Sequence, residues 1–254
     1  MLLDTGVNPS GIRMDVADEL GFEIDMNNQS TISGRGENSY RMAPTKIENL
    51  TIQGIEFGEI EAVASEGILE LLSKRIGVEI QGILGYSFLN GKTLSINFVD
   101  EEIHFFDSSD VMRSKFSDAV LEVDFETETN DIMPILENVV FIKDQPITVS
   151  MDTGSNLAIE VFSHYASNYN LKIDSTKTIT ATGAQGDFEL LSTQIENLKV
   201  GELELKYIEA EISEVENKNQ RRMGNIGNKL LKNFLVGIDY KSGKIYLDAN
   251  FRGF

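Results

Sequence analysis

MLLDTGVN (1–8) and SMDTGSN (150–156) decide the fold of this chain. Each carries Asp-Thr-Gly, and Asp4 and Asp152 lie 148 residues apart, more than half the 254-residue length. One Asp-Thr-Gly is an ordinary turn sequence. Two gain meaning because their surroundings repeat as well. ADELGFEID (17–25) answers ASNYNLKID (166–174), and TISGRG (31–36) answers TATGAQG (180–186). Ile-Glu-Asn-Leu stands at 47–50 and again at 195–198. GILGYSFLNGKTLSINFVDEEIHFFD (82–107) matches GNIGNKLLKNFLVGIDYKSGKIYLD (224–248). Five landmarks recurring in order mark a long-period internal repeat, read before any local pattern. Two copies of roughly 110 residues imply two similar lobes rather than a solenoid.

Composition supports a folded, strand-rich protein. Apolar residues make up 41%, with 21 Gly and 4 Pro. Runs such as KTLSINFV and KIYLD are strand formers. The net charge of −19, from 22 basic and 41 acidic residues spread along the chain, describes a solvated, self-repelling surface. It argues against nucleic acid as a partner, because phosphates need basic patches. Cysteine is absent, so there is no disulfide framework and no Cys-type metal site. His104 and His164 have no ligand-spaced neighbours and read as ordinary surface or core residues. No Gly-x-Ser-x-Gly elbow occurs. No apolar run is long enough to span a membrane, and Met1-Leu2-Leu3-Asp4 is not a signal peptide.

Local patterns predict short helices at 12–22, 68–80, 158–170 and 228–234, with hairpins at 25–66 and 177–213. Asn90-Gly91 reads as a helix end before the strand KTLSINF. The polar stretch 108–118 reads as a linker, giving lobes at 1–110 and 117–254. ENKNQRR (216–222) reads as a charged loop. The second lobe has about 30 residues of strand sequence before its Asp-Thr-Gly; the first has three. The first lobe is therefore expected to lack its leading strands, with the chain read as a fragment of a longer protein. The alternatives are that another chain or the C-terminal tail supplies the strands.

The chain resembles the bacterial pepsin/retropepsin-like aspartic peptidases with both lobes on one chain. The resemblance rests on the apolar residue before each Asp-Thr-Gly and on a later apolar-apolar-Gly element. That element is Ile83-Leu84-Gly85 in the first half and Asn225-Ile226-Gly227 in the second, where Asn225 departs from the pattern. It implies a mostly β fold: two similar β-barrel lobes with short helices, related by a pseudo-twofold axis, with a cleft between them. It implies a peptide or protein substrate, no cofactor or metal, and an exported or periplasmic location.

The chemistry fits the residues. Two carboxylates about 3 Å apart cannot both ionise cheaply, so they share one proton. The ionised partner takes a proton from water and the protonated one polarises the peptide carbonyl. Asp4 and Asp152 are the candidate catalytic pair. Gly6 and Gly154 lack Cβ, which lets backbone N–H groups approach the carboxylates. The resemblance gives Thr5 and Thr153 the role of holding the two loops together. Ser155 can hydrogen-bond its Asp, whereas Val7 cannot, so the shared proton is expected more often on Asp4. Gly34, Arg35 and Gly36 stand where the family has a flap over the cleft. Tyr40 is either the flap tyrosine or an ordinary strand residue, and the Gly183–Gly186 turn reads as structural. Two other readings stay open: a binding or scaffolding module on the same fold with a dead site, and a structural β protein in which both tripeptides are incidental turns.

Overall fold

The structure is a computed structural model that describes residues 1–32, 34–125, 133–173, 176–214 and 221–249. Most of the expected loop at 216–222 lies outside the described residues. The chain divides into two compact units, 1–89 with 180–189, and 90–179 with 190–254.

The first unit is built on a six-stranded sheet. Its strands are β1 (Leu2–Leu3), β2 (Ser10–Arg13), β3 (Ser30–Thr31), β4 (Arg41–Ile52), β5 (Ile55–Ser65) and β6 (Gly82–Leu84), in the order β1-β6-β2-β5-β4-β3. Helix α1 (Met14–Glu19) follows β2, and α2 (Ile68–Ile76) follows β5. Ile68 and Leu69 of α2 form a core with Ile80 and Ile83, against which Leu2, Val7, Tyr40 and Leu72 pack. Gly77, at φ 77°, ends α2 in the left-handed conformation that glycine adopts without strain. Helix α3 (Tyr86–Leu89) closes the unit.

The second unit holds β7 (Thr93–Asn97), β8 (Glu102–Phe106), helix α4 (Ser109–Arg113), β9 (Leu121–Asp124), β10 (Ile135–Ile142), β11 (Gln145–Met151), β12 (Ile159–Phe162), helix α5 (Ser163–Ala166), the start of β13 (Thr178–Gly183), most of β14 (Gly186–Val200), β15 (Leu203–Ser213), β16 (Gly224–Ile226), helix α6 (Asn228–Leu231), β17 (Leu235–Asp239) and β18 (Lys244–Asp248). One sheet runs β10-β11-β16-β12-β15-β14-β13. From β11 onward this repeats the first sheet strand for strand: β11 answers β1, β16 answers β6, β12 answers β2, β15 answers β5, β14 answers β4 and β13 answers β3. The pairing senses repeat too. β11–β16 and β1–β6 are parallel, β12–β16 and β2–β6 antiparallel, and β12–β15 and β2–β5 parallel.

The copies differ at one edge. Strand β10 pairs with β11 and also with the end of β14, Val140 opposite Val200, so this sheet closes on itself. No described strand answers β10 in the first unit, and β1 has two residues where β11 has seven. The first sheet stays open. A groove of about 210 Å³ beside its open end is lined by Met1, Ile12, Leu20, Phe22 and Leu50 among others.

Three expectations are corrected. The units do not divide at 110–117, because β7 and β8 join a five-stranded sheet, β8-β7-β17-β18-β9, within the second unit. The stretch 108–118 is not a bare linker: Ser108 caps α4 through the Val111 N–H, and Met112 and Phe116 are buried with Leu235 and Tyr246. Residues 159–162 are strand rather than helix. Ile159, Val161 and Phe162 are fully buried there, and β-branched residues suit a two-faced buried strand.

Candidate active site

Each Asp-Thr-Gly lies immediately beyond a strand that pairs in parallel with the apolar-apolar-Gly strand, β1 with β6 and β11 with β16. The two loops then make the same bonds. The Asp4 N–H donates to the Leu84 carbonyl at 3.0 Å, and the Asp152 N–H donates to the Ile226 carbonyl at 2.9 Å. The Gly6 N–H donates to Asp4 Oδ1 at 2.7 Å, and the Gly154 N–H to Asp152 Oδ1 at 2.9 Å. Such bonds favour the carboxylate form. One step on, the Tyr86 N–H donates to the Val7 carbonyl and the Asn228 N–H to the Ser155 carbonyl, both at 2.8 Å. Val7 thus holds the backbone contact that Ser155 holds in the second copy, whatever its side chain. Thr5 and Thr153 are buried. The Asn228 side-chain amide donates to the Thr153 carbonyl.

The glycine of each apolar-apolar-Gly strand has a steric cause. A Cβ on Gly85 would stand 2.4 Å from the Val7 carbonyl oxygen, and one on Gly227 would stand 2.7 Å from that of Ser155. The loop after each Asp-Thr-Gly presses directly on that glycine.

The Asp152 carboxyl is pushed up from the usual carboxylate range. Burial is the main cause, and the negative charge of Glu160 adds to it; the Gly154 N–H, Arg222 and the Ser155 N–H oppose. The Ser155 hydroxyl accepts from the Leu157 N–H at 3.3 Å.

Residues 1–88 match the family model described as aspartyl protease. Over this segment the chain is similar to aspartyl proteases. A comparison with curated proteins finds no match. Among solved structures, the crystal structure of a retropepsin-like aspartic protease from Rickettsia conorii is similar, at 19% identity with a TM-score of 0.37. The likeness covers 50% of this chain and 90% of that one.

The flap candidates sit within this matched segment. The Gly34–Gly36 turn is clasped by residues 184–186, which belong to the same unit. The Gln185 N–H donates to the Arg35 carbonyl, and the Asn38 N–H donates to the Gln185 carbonyl, both at 2.7 Å. The Gln185 amide donates to the Ile32 carbonyl at 3.0 Å, and the Arg35 guanidinium lies over the Phe188 ring. Gly36 is required here: its φ is 118°, and a Cβ would fall 2.2 Å from the Gln185 carbonyl carbon. Tyr40 packs its ring on the α2 core and accepts a hydrogen bond from the Asn38 side chain at 3.0 Å.

The histidines are placed apart from the two loops in sequence and bonding. His104 pairs with Glu102 at 2.9 Å, and His164 lies against Phe162 and Tyr165. Among the described residues no acidic or histidine cluster could hold a metal ion. No helix among them is long and apolar enough to cross a membrane.

Sequence reasoning missed a buried polar row in the second copy. Ser150, Asn225, Glu160 and Glu211 stand opposite one another across β11, β16, β12 and β15. All four are buried. Their counterparts in the first copy are Leu2, Ile83, Gly11 and Val63, with no polar side chain among them. Aligning the two copies on their strands, residue by residue, would have exposed the contrast.

Proposed function

We propose that the protein is an aspartic endopeptidase in which Asp4 and Asp152 activate a water molecule against a peptide carbonyl. The observation that carries this reading is the duplication of the Asp-Thr-Gly loop with its bonds. In each copy a glycine N–H holds one carboxylate oxygen, and the backbone is fixed to the apolar-apolar-Gly strand. A single turn of this kind is unremarkable. Two, on sheets of the same order and pairing sense, provide two carboxylates held by matching backbone bonds.

The mechanism needs one proton on the pair. The ionised carboxylate takes a proton from water as the oxygen attacks the carbonyl carbon, while the protonated one hydrogen-bonds the developing oxyanion. The proton taken from water is then delivered to the leaving nitrogen, the C–N bond breaks, and the pair returns to its starting state. The residues invoked need no metal or cofactor for this cycle. Thr5 and Thr153 support the loops, and the clasped Gly34–Gly36 turn is the candidate cover for the substrate.

A peptide-binding module without turnover is the second reading. It is favoured by Asn225, which places a polar side chain where the first copy has Ile83. Hydrolysis of a peptide library between pH 3 and 7, with a statine-type transition-state analogue as inhibitor, separates the two. Cleavage blocked by the analogue supports the peptidase; binding of the analogue without any cleavage supports the module.

A further inference from the structure

The second copy contains a template for the neighbour that the first sheet lacks. Strand β10 lies antiparallel to β11, with Leu136 opposite Val149. It also lies antiparallel to the end of β14, with Val140 opposite Val200 and Ile142 opposite Leu198. Leu136, Val140 and Ile142 are fully buried. The repeat carries these positions onto the first copy. Asp4 answers Asp152, so Met1 answers Val149. Ile-Glu-Asn-Leu at 47–50 answers 195–198, so Leu50 answers Leu198 and Ile52 answers Val200. Leu20 answers Tyr169, with Gly21 and Asn170 after them both at positive φ. Met1 is 55% exposed where Val149 is buried outright, and Leu20 is 60% exposed where Tyr169 is 4% exposed. Met1, Leu20, Leu50 and Thr51 line the groove of about 210 Å³. The groove therefore lies at the counterparts of residues that the closed sheet buries.

We propose that this groove is a docking site for an extended segment of a partner protein, which adds as an antiparallel strand along β1 and the end of β4. The segment places apolar side chains at alternate positions in the groove, as Val140 and Ile142 do in the second copy. A lysine or arginine follows them, at the position of Lys143. The Lys143 ammonium lies 4.0 Å from Glu196, and its N–H donates to the Asn197 carbonyl at 3.1 Å. Glu48 and Asn49 answer that pair and line the groove. An unpaired sheet edge offers main-chain hydrogen bonds to such a strand, and pockets for alternate side chains select its sequence. The docking needs neither carboxylate of the Asp-Thr-Gly loops.

A second copy of this chain is the poorer occupant. Its net charge of −19 makes two copies repel, whereas a basic segment is attracted. The strand that fits the groove, β10, is already paired on both sides within its own sheet. Lending it to another copy would expose Leu136, Val140 and Ile142 and unpair two ladders. A strand from a partner has no such cost.

The probe is a fluorescein-labelled synthetic peptide of residues 134–144, PILENVVFIKD. It is titrated into the full chain by fluorescence anisotropy, and hydrogen exchange locates where it binds. The statine-type analogue is present throughout, so that the probe is not taken as a substrate. Saturable binding is expected, with slower exchange in residues 41–52 and no change in 190–200. Leu20→Glu puts a charge into the groove from an exposed position and should weaken binding about tenfold or more. Glu48→Lys should weaken it roughly two- to five-fold, and a Lys143→Glu peptide should recover that loss on the Glu48→Lys protein. Absence of binding, or protection of 190–200 in place of 41–52, overturns the proposal. Equal protection of the two segments in the monomer before any peptide is added also overturns it, because the chain then covers its own edge. A concentration-dependent dimer in sedimentation that Leu20→Glu dissociates overturns it in favour of a second copy. The readout is binding alone, so a wild type without peptidase activity defeats the proposed function and leaves this result standing.

Discussion

Ser95 and Gly237 lie directly opposite each other in the antiparallel ladder of β7 and β17. They are also equivalent in the repeat, for LSIN (94–97) answers VGID (236–239). The second unit therefore joins the two copies to each other at a matching position. Gly237 is not free to be larger. A Cβ there would stand 2.7 Å from the Phe116 ring and 3.2 Å from Tyr246 Cβ.

Gly237→Val should therefore destabilise the second unit. Overpacking of a filled core costs about 1–3 kcal/mol. Ser95→Ala should change stability far less, since it removes one oxygen and adds no volume. Urea unfolding of both variants checks the contrast; equal midpoints would show that Phe116 gives way freely.

The open edge of the first sheet has a dynamic consequence. Strand β10 closes the second sheet, and no described strand does so in the first. Amides of residues 41–52 should exchange with solvent faster than the equivalent amides of 190–200, because their sheet opens with less loss of burial. Hydrogen exchange followed by mass spectrometry reads both segments in one experiment. Equal protection would mean that the edge is covered.

Glu211 links the polar row to stability. Burial raises its carboxyl to about 7, with Glu209 and Glu160 adding to the rise and Lys229 opposing it. In the unfolded chain it titrates near its ordinary value of 4.5. Between those values the folded protein holds a proton that the unfolded chain has released. Stability from this group is thus full below about pH 4.5 and is lost as pH rises toward 7. Glu211→Gln mimics the protonated form, so it should raise Tm at pH 8 relative to the wild type and change it little at pH 4.5. A Tm difference independent of pH would contradict the shift.

The duplicated tripeptide, the shared strand order and the two apolar-apolar-Gly strands were legible in the sequence. They were legible because a repeat constrains many positions at once. The Gly34–Gly36 turn was recognisable by composition. Its clasp by Gln185 was not, since that contact joins residues 150 apart in the chain. Residues 108–118 looked like a linker because Val111, Met112 and Phe116 are the only apolar residues in a polar run; what buries Met112 and Phe116 is a sheet that draws β7 from one copy and β17 from the other. Glu160 and Glu211 were hidden for a different reason. In IEVF and EAEIS a glutamate looks like the solvent-facing half of an alternation, and only the burial of both strand faces shows otherwise.

The central claim is that two carboxylates act together, and charge removal tests it most directly. Asn keeps the shape of Asp but neither takes a proton from water nor shares one. The measurement is kcat/KM on a cleaved peptide across pH 3–7 for the wild type, Asp4→Asn and Asp152→Asn, with thermal melts confirming that each folds. The wild type should give a bell-shaped profile on the acidic side of neutrality. Each variant should lose at least roughly 10²–10⁴-fold, the worth of acid–base catalysis alone. Near-wild-type turnover in either folded variant would contradict the account.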